Sequence, residues 1–173
     1  LFARPEAGKT TFALDQSVYM AEQGAVVLYV NNEQPGKLML QRAIQSCLAI
    51  TAEQFFKFKR QAIKKFGEKT ADGFHMYDRP YIQGREIDQL CRKYSPDLII
   101  FDQLDKIKGF DSRHDRDDLS LKRLYQWGRE LAKEYGPVVG VCQAGATGEG
   151  KKWLTMDDVD GSKVAKQGEA DWI

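Results

Sequence analysis

A chain of 173 residues with 26 Lys+Arg against 25 Asp+Glu is long enough for one domain with a sizeable core and too short for two ordinary ones. Its net charge of +1 excludes a whole-molecule basic field, so any nucleic-acid contact must come from local patches. Cys47, Cys91 and Cys142 are widely separated, which argues against a disulfide framework or zinc site and for a reducing, cytoplasmic setting, and no apolar run or leader pattern suggests a membrane.

The first stretch, LFARPEAGKTTFAL, holds Gly8, Lys9 and Thr10 in the order of a phosphate-binding loop, but Ala3 stands where such a loop ordinarily begins with glycine. The Gly-Lys-Thr-Thr run opens a helix that reaches Gly24, so its amides and dipole favour an anionic phosphate. The candidate nucleotide loop comprises Ala3, Arg4, Pro5, Glu6, Ala7, Gly8, Lys9, Thr10 and Thr11. Lys9 would neutralise the β- and γ-phosphates of ATP, and the Thr10 hydroxyl would complete the shell of Mg²⁺. The plain alternative is a chance Gly-Lys-Thr at a helix start.

Ala25 to Val30, AVVLYV, is short, β-branched and continuously apolar, and reads as a buried strand. Past its end comes VNNEQP, whose Glu33 would polarise the water attacking the γ-phosphate if the sheet is parallel. In isolation Glu33 reads rather as a solvated loop residue. Helices are expected over Gly36 to Leu48 and Ala52 to Lys65; the second interleaves lysines with Phe55, Phe58 and Phe66, as an amphipathic helix does. Phe74 to Tyr77 is a weaker strand, followed by a helix over Arg85 to Tyr94. Gly24, Gly67 and Gly136 sit where helix-ending glycines are expected.

Asp97 to Asp102, DLIIFD, is a strong strand, and a carboxylate at its end would orient Mg²⁺ through its water shell. An ordinary capping aspartate is the alternative. A polar loop from Asp105 to Asp118 follows, then a long helix over Leu119 to Tyr135 and a strand over Pro137 to Cys142. Gln143, directly after that strand, would read the γ-phosphate and pass its loss to the loop from Gly145 to Trp153, although in isolation such a glutamine is more commonly a plain polar loop residue. Both loops lie beyond the carboxyl ends of strands, where open α/β sheets place ligands. Apolar runs alternating with amphipathic ones give an α/β fold, a mostly parallel sheet with helices on both faces.

Taken together, ARPEAGKTTFAL, NNEQPGKLMLQRA with Glu33, Pro35 and Arg42, the strand ending in Asp102 and the strand ending in Gln143 resemble the helicase domain of DnaB-like hexameric replicative helicases. That family also commonly writes its loop as Ala-Arg-Pro-x-x-Gly-Lys-Thr, which accounts for Ala3. The resemblance implies a RecA-like P-loop fold in three α/β/α layers over residues 1–173, an ATP-dependent DNA helicase, and Glu33, Lys9 and Gln143 in catalysis. It implies ATP and Mg²⁺ as cofactors, the metal held through Thr10 and Asp102. Expected partners are single-stranded DNA and identical subunits of a homohexamer, with no membrane. The family's last motif resembles DVDGSKVAKQGEADWI, which puts Gly161, Ser162, Lys163 and Lys166 in a segment facing DNA. Lys151 and Lys152 in the Gly145 to Trp153 loop join them.

The family's arginine finger lies after that motif, so the chain is expected to be a fragment truncated at both ends, binding nucleotide weakly and turning over slowly alone. Lys106, Lys108, Arg113 and Arg116 are further loop cations, diluted by neighbouring aspartates. Trp153 would stack on a base or, as is commoner at a loop end, pack in the core. His75 and His114 have no metal-ligand company and read as structural. Two alternatives stand beside the helicase: another RecA-like or circadian-clock-like ATPase, and a nucleotide-gated binding module such as a helicase loader. Glu33 and Gln143 argue against the second, which needs neither.

Overall fold

A computed structural model describes residues 1–111, 117–160, 166 and 168–171. The expectations for Arg113, His114, Arg116, Gly161, Ser162 and Lys163 lie outside the described residues. Continuous β-branched and aromatic runs form the strands, all parallel: β1 (Phe2–Ala3), β2 (Val27–Asn31), β3 (Phe74–Asp78), β4 (Leu98–Asp102) and β5 (Val138–Gln143), in the order β1-β5-β4-β2-β3. Between them run α1 (Lys9–Glu22), α2 (Gly36–Leu48), α3 (Ala52–Lys57), α4 (Lys59–Lys69), α5 (Gly84–Tyr94) and α6 (Asp117–Glu134).

Alternation along the central strands builds two cores. Val27 and Tyr29 of β2 lie in register with Leu98 and Ile100 of β4, and all four face α1, α2, α3 and α4 through Leu14, Val18, Met39, Ile44, Phe55 and Phe66. Leu28, Val30, Ile99 and Phe101 face the other way, onto Ile87 and Cys91 of α5 and Leu124 and Leu131 of α6. Both faces of β2 and β4 are therefore covered, which is why these strands read as unbroken apolar runs. The result is the expected three-layer α/β/α sandwich.

Two expectations about helix ends need correction. The helix expected over Ala52 to Lys65 is broken at Phe58, whose backbone (φ −122°, ψ 31°) ends α3 and begins α4. Phe58 is 48% exposed whereas Phe55 and Phe66 are buried, so the break turns one aromatic outward. Gly67 lies inside α4, which ends at Lys69; Ala71 and Asp72 then take the left-handed conformation. Gly24 (φ 93°) and Gly136 do follow helices, and a Cβ at Gly136 would press on the Asp97 carbonyl at 2.6 Å. His75 stacks on Tyr94 at 3.9 Å, a structural role as expected. Among the described residues no helix is long and apolar enough to cross a membrane.

Candidate functional site

The parallel register brings the carboxyl ends of four strands to one edge. Ala3 pairs with Gln143, and Asn31 pairs with Asp102. The loop from Ala3 to Gly8 springs from β1 and turns into α1 at Gly8, whose φ of 86° is a left-handed conformation that glycine adopts freely. No side chain caps the start of α1, so its first-turn N–H groups face the loop as donors for an anion. Pro5, Glu6, Ala7, Gly8 and Thr11 are exposed along it.

Lys9 folds back over the loop. Its Nζ donates to the carbonyls of Ala3 (2.8 Å) and Arg4 (2.7 Å). Burial lowers its pKa, and the negative charges of Glu33 and Asp102 pull it back up. The lysine is thus a buried cation facing two carboxylates across the sheet edge. Arg4 points elsewhere: its guanidinium donates to the carbonyls of Gly148 (2.9 Å) and Lys151 in the loop after β5. Only the backbone of Arg4 remains available to the phosphate loop.

Asp102 is fully buried, and Tyr29 on the neighbouring strand donates to its Oδ2 at 2.9 Å. Burial pushes the carboxyl pKa up, while the hydroxyls of Tyr29 and Thr10 hold it down. Burial likewise raises the Tyr29 pKa, as does the Asp102 charge, so Tyr29 stays protonated as the donor. The other carboxylate oxygen, Oδ1, is buried with no hydrogen-bond partner. An orphaned buried carboxylate oxygen beside a threonine hydroxyl at a phosphate loop fits a hydrated Mg²⁺, which takes few protein ligands and keeps several waters. Thr10 and Asp102 fit that role on the geometry.

Glu33 is held at the edge by a frame in which, Arg42 aside, the residues were not singled out in the sequence. The Asn31 side chain, fully buried, donates to the Gln34 carbonyl and to Asp78, both at 2.6 Å. Asn32 exchanges two hydrogen bonds with the backbone of Gln103, at 2.9 and 2.6 Å. Arg42 donates to the Gln34 side chain at 2.7 Å. These bonds tie VNNEQP to β3, β4 and α2, and Glu33 emerges exposed from that frame. The Gln143 amide donates to its carboxylate at 3.4 Å. Lys9, Thr10, Glu33, Asp102 and Gln143 are thereby gathered at one edge of the sheet.

The residues expected to face DNA are more scattered. Lys152 and Trp153 lie at the exposed end of the loop after β5, with the Lys152 ammonium 5.9 Å from the indole. Trp153 is 77% exposed rather than packed in the core. Lys151 is partly spent on an ion pair with the buried carboxylate of Asp158 at 2.6 Å. Lys166 does not face outward: it is 3% exposed and its ammonium pairs with Asp105 at 2.5 Å, over the Tyr125 ring. Burial made the better use of that cation, because Asp105 and Tyr125 offer it a carboxylate and an aromatic face inside the fold. In the first long loop, Lys108 is joined through its backbone to Ile82 and Gly84, and Phe110 packs on Trp127.

Among the solved structures that share this fold, two illustrate the likeness. An ATPase domain matches at a TM-score of 0.77 with 21% identity, over 98% of this chain and 65% of its own. A DnaB-like replicative helicase, solved in work on its interactions with primase, matches at 0.76 with 19% identity, over 91% of this chain and 41% of its own. The present chain therefore spans less than two thirds of either. A comparison with curated protein sequences finds no match. The family model described as AAA domain matches residues 1–149, a span that includes the loop from Ala3 to Thr11, Glu33, Asp102 and Gln143, and the chain belongs to that family.

Proposed function

We propose that this chain is the ATP-binding and ATP-hydrolysing motor of a replicative DNA helicase, coupling hydrolysis to movement along single-stranded DNA. The observation that carries the reading is the gathering of Lys9, Thr10, Glu33, Asp102 and Gln143 at one sheet edge, beside an uncapped helix start. The loop amides and Lys9 hold the β- and γ-phosphates. Thr10 and Asp102 would hold Mg²⁺, which would supply charge neutralisation at the phosphates. Glu33 accepts a proton from the water that attacks the γ-phosphorus, the bond to the β–γ bridging oxygen breaks, and ADP leaves. Gln143 senses the γ-phosphate through its contact with Glu33.

The DNA-facing elements of the reading are Lys152 and Trp153, with Lys151, Gly161, Ser162 and Lys163, since stacking on an aromatic beside cations suits single strands. Lys166 is left out because of its inward pairing. Identical subunits arranged as a hexamer, and a cytoplasmic site of action, belong to the same reading. The deciding test is Glu33→Gln in an assay of ATP hydrolysis with and without single-stranded DNA, run on this chain. The amide cannot take the proton, so turnover should fall about a hundredfold or more while a fluorescent ATP analogue still binds. Unchanged turnover would return Glu33 to a solvated loop residue and favour the nucleotide-gated binding module.

A further inference from the structure

Arg4 is a phosphate-loop residue whose side chain leaves the loop. Its guanidinium spans to two backbone carbonyls, those of Gly148 and Lys151, on the loop that follows β5. That loop is internally tied. Gly148 N–H donates to Gly145, and Gly145 N–H to Asp158. Lys151 pairs with the Asp158 carboxylate, which also accepts from Thr155 N–H at 2.8 Å. Asp160 N–H returns to the carbonyl of Gln143. At Gly148 even a Cβ would press on Leu154 at 2.7 Å. So braced, the loop is held together as one unit, with Lys152 and the exposed Trp153 at its tip.

The other end of Arg4 is equally committed. Lys9 donates to its carbonyl and to that of Ala3. An ammonium has three donors, and two are spent here, so contact with both a β- and a γ-phosphate releases at least one carbonyl. Phosphate arriving at Lys9 therefore acts directly on the backbone from which the Arg4 side chain hangs. We propose that Arg4 is a positioning residue that couples phosphate at Lys9 to the placement of the Lys152–Trp153 tip. This rests on the nucleotide-binding reading above. It adds a mechanical route, Lys9 to the Arg4 backbone to the Gly148 and Lys151 carbonyls, separate from the Glu33–Gln143 contact. A planar fork reaching two acceptors suits arginine; lysine offers one point charge there.

The test reads Trp153 in the intact chain. Its emission and its quenching by acrylamide are isolated by subtracting the Trp153→Phe variant, which removes contributions from Trp127 and Trp172. Binding of a fluorescent ATP analogue with Mg²⁺ is measured separately, and every protein is compared at saturation. In the parent, saturating a non-hydrolysable ATP analogue should change the quenching of Trp153, which is 77% exposed in the free chain. Arg4→Ala should lose most of that change and Arg4→Lys should keep an intermediate part. If Arg4→Ala does not fold by circular dichroism, Arg4→Lys carries the comparison. A full response in the folded variants, or no response in a parent that binds the analogue, overturns the coupling and leaves nucleotide binding standing. No binding by the parent removes both. By linkage, an oligonucleotide that fixes the tip should tighten analogue binding in the parent more than in Arg4→Lys.

Discussion

Lys9 has two tasks, and they predict two separable losses. Its ammonium satisfies the Ala3 and Arg4 carbonyls and presents the charge that would meet the phosphates. Lys9→Ala should therefore abolish binding of a fluorescent ATP analogue and also cost about 1–2 kcal/mol of stability, as the loss of charge-assisted hydrogen bonds does. Denaturant unfolding with an unchanged m-value, beside a binding titration, checks both; a variant that bound the analogue like the parent would remove the loop from the site. At this scale the sequence showed the chemistry better than the geometry. Gly8, Lys9 and Thr10 stood out because their types and order match what a phosphate loop needs at the start of a helix. Tyr29 did not, because a tyrosine within an apolar strand is indistinguishable from core until its hydroxyl is seen on Asp102. Arg4 and Lys166 misled in opposite ways: one sat in the loop and pointed out of it, the other sat in a segment expected to face DNA and pointed into the fold.

Between elements, the most specific joint is the start of α2 against the end of β3. The Asp78 carboxylate accepts from Gly36 N–H at 3.0 Å and from Asn31 at 2.6 Å, capping the helix that follows Glu33. A Cβ at Gly36 would overlap that carboxylate, so the glycine is there for close approach. Gly36→Ala should displace Asp78 and destabilise by about 1–3 kcal/mol, the range for overpacking with a lost hydrogen bond. In an Asp78→Gly background, which also removes the Asp78 Cβ that would lie 2.7 Å away, the overlap is gone and alanine's helix propensity remains, so the same substitution should be neutral or favourable by up to about 1 kcal/mol. A double-mutant cycle by urea unfolding reads this reversal; equal costs in both backgrounds would mean that the two residues are not coupled. Strands and helices were largely legible in the sequence because apolar period and length carry them. The break at Phe58 was not, since the amphipathic spacing runs straight through it, and a contact such as Gly36–Asp78, 42 residues apart, leaves no local mark.

At the scale of the whole molecule, the sheet trades stability for a site. Two cores cover both faces of β2 and β4, and the carboxyl edge between them keeps a buried aspartate with one oxygen unpaired. Because burial raises the Asp102 pKa above its ordinary 3.8, the unfolded chain ionises first as pH rises. The penalty is therefore present in full above the folded pKa and relieved as pH falls below 3.8. Asp102→Asn removes the charge while its amide oxygen can still accept from Tyr29. In metal-free buffer at neutral pH this variant should be more stable by about 1 kcal/mol, because a buried carboxylate charge costs more than a neutral amide of the same shape, raising Tm by about 2–4 °C for a domain of this size. Ligand should reverse the order. A hundredfold excess of ATP·Mg²⁺ over its Kd would stabilise the parent by about 2.7 kcal/mol, or about 5–11 °C, while the variant, lacking the carboxylate, should show a much smaller magnesium-dependent shift. Thermal melts of both proteins with ATP, with and without Mg²⁺, check the crossing. A variant that is less stable than the parent without metal and shifts fully with it would show that Asp102 serves the fold and not the ion.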